Sequence, residues 1–198
     1  MLTVEKIGGT SVSKFHDVLD NIIIKNGEAH YNRIFVVSAY SNVTNWLLEH
    51  KKTGEPGVYT KFINNEPYIE ALDQLCEKLI KINKTFADIK LNLDEAKDFI
   101  IKRIQKTKDY LESMFDVIAS GYVDHKNIHF AARELLASVG EAHSAFNSVN
   151  ILQNNQIHAT FIDLSGFHDT EYHTIDKRIH KAFKGIEFSK TITVATGY

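Results

Sequence analysis

Three stretches of the sequence place polar residues at spacings that could do chemistry. The first is Lys6-Ile7-Gly8-Gly9-Thr10-Ser11, which closes an apolar run and leads into a helical pattern. Glycines there let backbone approach a ligand closely, and amides at a helix start favour an anion. Lys6 adds a full positive charge beside them. The Gly-x-x-x-x-Gly-Lys-Ser/Thr spacing of a Walker A loop is absent, and taken alone a Gly-Gly pair here reads equally well as a tight turn. The second stretch, Val36-Val37-Ser38-Ala39-Tyr40-Ser41-Asn42-Val43-Thr44-Asn45, ends another apolar run with small hydroxyl and amide residues. The carboxyl end of a parallel strand is where open α/β sheets bind ligands, although Asn42 or Thr44 would serve equally as a helix cap. The third is Ser138-Val139-Gly140-Glu141-Ala142-His143-Ser144. A carboxylate inside an apolar helical stretch is costly unless it faces solvent or has a cationic partner.

Other polar residues read as structural. His125 and His129 are four apart and share a helix face, while His168 and His173 lie in a polar segment. Neither pair gives the three or four convergent ligands of a metal site, so they read as solvated. Cys76 falls on an apolar helical face and reads as a small core residue. Lys102, Arg103 and Lys106 interleave with Asp98 and Asp109, which reads as a solvated face.

These candidates need elements to hold them. Leu2–Ile7, Ile34–Ala39, Ile157–Ile162 and Thr191–Thr196 are short and rich in β-branched residues, as in strands covered on both faces. Between them, Phe15, Val18, Leu19 and Ile22 share a helical face that starts near Ser13 or Lys14. Ile69, Leu72, Leu75, Cys76 and Leu79 share another. Asp94 is placed to cap a helix whose stripe runs through Ile100, Ile104, Leu111 and Phe115. A further helical region, about 128–152, contains Gly140 as a candidate break. Residues 51–57, with Gly54, Pro56 and Gly57, read as an exposed loop or hairpin. The alternation predicts an α/β fold: a three-layer sandwich around a mostly parallel sheet.

Composition narrows the class. The chain has 198 residues, 43% apolar and 24% charged, enough for one large domain with its own core. A net charge of -2 gives no general attraction to nucleic acid or anionic membranes. Cys76 is the only cysteine, which excludes an intrachain disulfide and fits a reducing cytoplasm. The N-terminus lacks the pattern of a secretory signal, and no apolar run approaches the ~20 residues of a membrane span. These features predict a soluble, cytoplasmic protein.

The three stretches, in this order at the ends of successive elements, resemble the aspartokinases of the amino-acid kinase superfamily. Lys6–Ser11 is similar to that family's Lys-Phe-Gly-Gly-Thr-Ser signature. Ser38-Ala39 with Val43-Thr44-Asn45, then Gly140-Glu141, then Thr196-Gly197-Tyr198 follow its later motifs. The resemblance implies an amino-acid-kinase-like fold, truncated here, with residues 1–198 forming the N-terminal part of a catalytic domain. It implies transfer of the ATP γ-phosphate to the side-chain carboxylate of L-aspartate, with Mg²⁺ carried by the nucleotide and a homo-oligomeric enzyme. Lys6 would be catalytic, contacting the transferred phosphate together with Gly8 and Gly9. Ser11 and Thr44 would hold the aspartate carboxylates, and Glu141 its ammonium. Ile7, Ala142-His143 and Tyr198 depart from the family pattern. The Glu141-Ala142-His143-Ser144-Ala145 variant, with the 50–57 loop, resembles aspartokinases associated with ectoine synthesis. Two alternatives stay open: a related kinase for another carboxylate or carbamate, and a non-catalytic domain that binds aspartate. The chain by itself is expected to be inactive, lacking the nucleotide-binding half and any regulatory domains.

Overall fold

The computed structural model describes residues 1–24 and 30–197. Four strands form one sheet: β1 (Thr3–Ile7), β2 (Arg33–Val37), β3 (Ala159–Ile162) and β4 (Ile192–Thr196). Their order is β1-β2-β4-β3, and every pairing is parallel. All four apolar runs are therefore strands. The lack of strict alternation along β4, buried at all five positions, has a direct cause: both of its faces are covered.

One face of the sheet carries the long helices. Helix α7 (His125–Asn154) lies against β3 and β4, with α6 (Leu93–Ala119) and α5 (Tyr68–Lys84) behind it. Phe35, Val37, Ile192 and Val194 point into this larger core, where Leu136, Val139, Ile151 and Leu152 of α7 are buried. On the opposite face Ile162, Leu164 and Ala195 meet Ala182 and Phe183 of α8 (Ile175–Phe183). Val194 and Ala195 serve opposite cores because successive strand residues point to opposite faces. The predicted three-layer sandwich is thus observed. Among the described residues, no helix is long and apolar enough to cross a membrane.

The shorter elements depart in detail from the sequence pattern. The first helical stretch is split into α1 (Gly9–Val12), α2 (Phe15–Val18) and a π-helical segment, Leu19–Ile24. Helices α3 (Val43–Leu47) and α4 (Val58–Ile63) flank the 51–57 loop, exposed from Lys51 to Pro56 but buried at Gly57 and closed by a bridge between Glu49 and Pro56. Asp94 does not cap α6. Asn92 does, its side chain accepting from the Glu95 amide, while Asp94 lies inside the first turn. Nor does Gly140 break the fourth helical region. Helix α7 runs through it without interruption, and the space around Gly140 shows why the residue is there.

Candidate active site

Three of the sequence stretches are drawn together at the carboxyl ends of the central strands by close backbone approaches. A Cβ on Gly9 would lie 2.6 Å from the Ala39 carbonyl oxygen, so only glycine lets the turn after β1 sit against the loop after β2. A Cβ on Gly140 would lie 2.8 Å from Ala39 Cβ and 2.8 Å from Val43 Cγ1. Glycine inside a helix costs roughly 1 kcal/mol against alanine. Here it lets the middle of α7 touch the β2–α3 loop. A Cβ on Gly197 would meet the Val37 carbonyl oxygen at 2.7 Å, while the Gly197 amide donates to that oxygen at 2.9 Å. Tyr198, the last residue of that motif, lies outside the described residues.

Hydrogen bonds fix the same junction. The Ser38 amide donates to the Ile7 carbonyl at 3.0 Å, tying the two strand ends. Ser144 Oγ on α7 donates to the Ser38 carbonyl at 2.8 Å. Ser13 Oγ accepts from the Ser41 amide at 2.9 Å and donates to the Gly9 carbonyl at 2.8 Å. Asn42 then takes a left-handed conformation, φ 67°, which asparagine tolerates better than most residues, and α3 begins at the next residue. Asn42 is the N-cap by position, but its side chain makes no capping bond.

Gly8 stands apart from the other glycines. A Cβ there would meet nothing within 4 Å, so open space lies beside it. The first i→i−4 bond of α1 runs from the Val12 amide to the Gly8 carbonyl, which leaves the amides of Gly9, Thr10 and Ser11 ahead of the helix ladder. Lys6 is exposed at the penultimate position of β1. Ser11 and Thr44 are also exposed, and neither hydroxyl makes a hydrogen bond among the described residues.

Glu141 is the electrostatic centre of the cluster. It is half-buried, and its Oε2 is buried with no hydrogen-bond partner. Burial pushes its carboxyl up to about 7; the Lys6 charge opposes the rise and the Glu134 carboxylate adds to it. Lys6 and Glu141 therefore feel each other through space, although no ion pair joins them. Glu134, Ser138 and Glu141 lie on one face of α7 by their spacing. The first two also line a cleft of about 690 Å³ between α6, α7 and the segment after β3.

Sequence reasoning missed a buried network on the floor of this cleft. Arg103 of α6, read as part of a solvated face, is only 3% exposed. Its guanidinium pairs with Asp163 at the end of β3, donates to Ser138 Oγ at 3.2 Å and Ser165 Oγ at 3.0 Å, and lies 3.5 Å over the Phe167 ring. Burial alone would raise the Asp163 carboxyl, but the charge of Arg103 and bonds from Ser165 and Arg103 outweigh it and hold it below the usual range. The Leu164 amide, next to Asp163, donates to Thr196 Oγ1 at 2.9 Å, which links the network to the end of β4. A signal existed: Arg103 is in step with Ile100, Ile104, Thr107 and Leu111, the buried stripe of α6. His173, also read as solvated, is buried beside Glu171. His125 and His129 do share a face of α7, with ring centroids 5.8 Å apart. Among the described residues no group of three or more His, Cys, Asp or Glu could hold a metal ion. Cys76 is half-buried against the core, and burial raises its thiol.

No family model matches the chain. Along its whole length it is 44% identical to an aspartate kinase, Ask_Ect, of Stutzerimonas stutzeri (strain A1501), and it spans 43% of that relative's length. Two solved structures of E. coli aspartokinase III share the fold. One, in complex with aspartate and ADP in the R-state, superposes with a TM-score of 0.55 at 16% identity, covering 99% of this chain and 40% of that one. The other, in complex with lysine and aspartate in the T-state, gives 0.60 at 18%, covering 98% and 40%.

Proposed function

We propose that this chain, which belongs to the aspartokinase family along its whole length, carries the acceptor side of an enzyme that phosphorylates the side-chain carboxylate of L-aspartate from ATP. The observation that carries the reading is the meeting of Lys6, the open space at Gly8 and the orphaned Glu141 carboxylate at one junction, held by Gly9 and Gly140 against Ala39. A cation beside free amides suits an anion that gains charge during reaction. A half-buried carboxylate without a hydrogen-bond partner on Oε2 suits an ammonium.

The acceptor needs little activation. Aspartate's side-chain carboxyl, with a reference pKa of ~3.9, is already an anionic nucleophile at neutral pH. The remaining task is to hold two anions in line and neutralise charge on the transferring phosphoryl group. Lys6 and the amides after Gly8 supply that neutralisation. Ser11 and Thr44, with exposed and unengaged hydroxyls, hold the aspartate carboxylates, and Glu141 takes the ammonium. Mg²⁺ would arrive on the phosphates of the nucleotide. When bound, that ion would neutralise phosphate charge.

The product is an acyl phosphate, and the family resemblance supports placing the reaction as the first step of aspartate-family amino-acid or ectoine biosynthesis. We place it in the cytoplasm and in a homo-oligomer. The test is a hydroxamate assay of the full-length enzyme that carries this chain, with ATP and aspartate, glutamate or carbamate. Aspartyl hydroxamate with aspartate alone supports the reading. Turnover only with another acceptor, or aspartate binding without turnover, overturns it.

A further inference from the structure

The 50–57 loop has no part in the proposed reaction, yet it walls a cleft of about 420 Å³ that it shares with α3, α4 and α5. Small-molecule sites run from ~300 to 1,000 Å³, so the cleft is of ligand size. Its walls are pinned through one backbone oxygen. The Gly57 amide donates to the Leu48 carbonyl at 3.1 Å, and Thr60 Oγ1 donates to the same oxygen at 3.0 Å. A Cβ on Gly57 would lie 2.5 Å from that oxygen, so only glycine lets the start of α4 sit this close to the end of α3. The Glu49–Pro56 bridge closes the loop. A cleft held in this way is formed before anything enters it.

The lining is apolar at its floor and cationic above it. Trp46 is half-buried, Val58 and Leu75 are buried, and Lys78 Nζ stands 5.0 Å from the centre of the Trp46 ring. Lys61 of α4 is half-buried and also lines the cleft. Among the described residues the lysines in ion pairs are Lys108, Lys177 and Lys190, so neither Lys61 nor Lys78 has a carboxylate partner there. The Thr53 amide can only donate, so His50 Nδ1 accepts from it at 3.1 Å and Nε2 is left as a donor. Glu55, exposed, is the lining's one acidic residue. Cations therefore outnumber anions, and charge-assisted bonds to a carboxylate are the strong ones. The apolar floor favours a body that is flat and carries no further charge.

We propose that this cleft binds a small carboxylate with a flat apolar body, its charge met by Lys61 and Lys78 and its body by Trp46, and that its occupancy tightens aspartate binding. The coupling runs through α3. Trp46 lies on the same short helix as Thr44, and Val43 packs on Gly140, the neighbour of Glu141. A ligand that ties α3 to α4 and α5 holds Thr44 where the junction with Glu141 is already assembled, which removes part of the ordering cost of binding aspartate. The coupling rests on the aspartate reading, whereas the site does not.

The test uses the full-length enzyme and three probes that share a ring and differ in charge: benzoate, benzamide and benzylamine. Calorimetry measures binding, and fluorescence locates it. Trp46 is the only tryptophan of this chain, and subtracting the emission of Trp46→Phe isolates its signal. Benzoate should bind with a Kd of about a millimolar, the scale for so small a ligand, and should change the Trp46 emission. Lys61→Gln and Lys78→Gln, both helix-compatible, should each weaken it about five- to ten-fold. No benzoate binding well above millimolar concentration overturns the site, as does binding that is silent at Trp46 and indifferent to both lysines. Benzamide or benzylamine binding as tightly as benzoate overturns the anionic class. Saturating benzoate should lower the aspartate Kd about three-fold or more, and aspartate should lower the benzoate Kd by the same factor, since coupling between two sites is reciprocal. An aspartate Kd that is unchanged or raised overturns the coupling. Failure of the wild type to phosphorylate aspartate would sink the proposed reaction, while the benzoate results stand or fall separately.

Discussion

Replacing Glu141 by glutamine should stabilise the fold and weaken aspartate binding in the same variant. The carboxyl is lifted from an ordinary 4.5 to about 7, chiefly by burial. A raised acid pKa means that the folded state binds its proton more tightly than the unfolded state. Stability is therefore full below the unfolded value, falls as pH rises from about 4.5 to about 7, and stays lower above that. At ~1.36 kcal/mol per unit, the shift of 7 − 4.5 sets a ceiling of about 3 kcal/mol. The group is only half-buried, so ~1–2 kcal/mol is the working figure. Glutamine has no charge to desolvate. At pH 8 the variant should melt several degrees higher, at roughly 2–4 °C per kcal/mol for a chain of this size, and near pH 4 the gain should vanish.

Binding should move the opposite way. The ammonium requires the ionised carboxylate, and loss of a charge-assisted contact costs ~1.5–3 kcal/mol, about ten- to a hundred-fold in aspartate affinity. In wild type the affinity should fall about five-fold between pH 7 and pH 6, because the ionised fraction drops from about a half to about a tenth. Calorimetry at pH 6 in buffers of differing ionisation enthalpy should show close to one proton released per aspartate bound, and none at pH 8.5. Glutamine should flatten both profiles. A glutamine variant that is no more stable at pH 8, or a wild-type affinity flat from pH 6 to 8, would refute the placing of an orphaned, half-buried carboxylate at the ammonium.

In the full-length enzyme Lys6→Ala should lower kcat by roughly 10²–10³ while changing aspartate affinity little, because its charge acts on the phosphoryl group in the transition state; steady-state kinetics with saturating aspartate will show it. Gly140→Ala should destabilise the fold by about 1–3 kcal/mol despite its better helix propensity, since the new methyl meets Ala39 and Val43 at 2.8 Å; urea melts are the check. Arg103→Ala should cost about 3–5 kcal/mol by stranding the buried Asp163 carboxylate, and Arg103→Ala with Asp163→Ala should recover part of that loss in a double-mutant cycle.

The parts of this fold legible in the sequence are those governed by local pattern. Apolar runs read as parallel strands, and all four runs are strands, but β1 is not covered on both faces as expected: it is an edge strand, exposed at Thr3, Val4 and Lys6. What stayed hidden depends on partners far along the chain. Gly140 reads locally as a helix break, because propensity sees only the cost of glycine; the compensating approach to Ala39 lies about a hundred residues away. Arg103 reads as solvated because Lys102 and Lys106 surround it, yet each helical residue turns by ~100°, which sends Arg103 inward and leaves Lys102 exposed. The same blindness makes Glu141 ambiguous. Its sequence context shows a carboxylate in an apolar stretch and no more. Only the fold shows that Lys6 lies near enough to be felt and that Oε2 is orphaned. A well-paired Glu141 would be more stable and less able to receive an ammonium. Unsatisfied polarity at the junction is therefore consistent with a site, and the sequence marks it only through the glycines that make the junction possible.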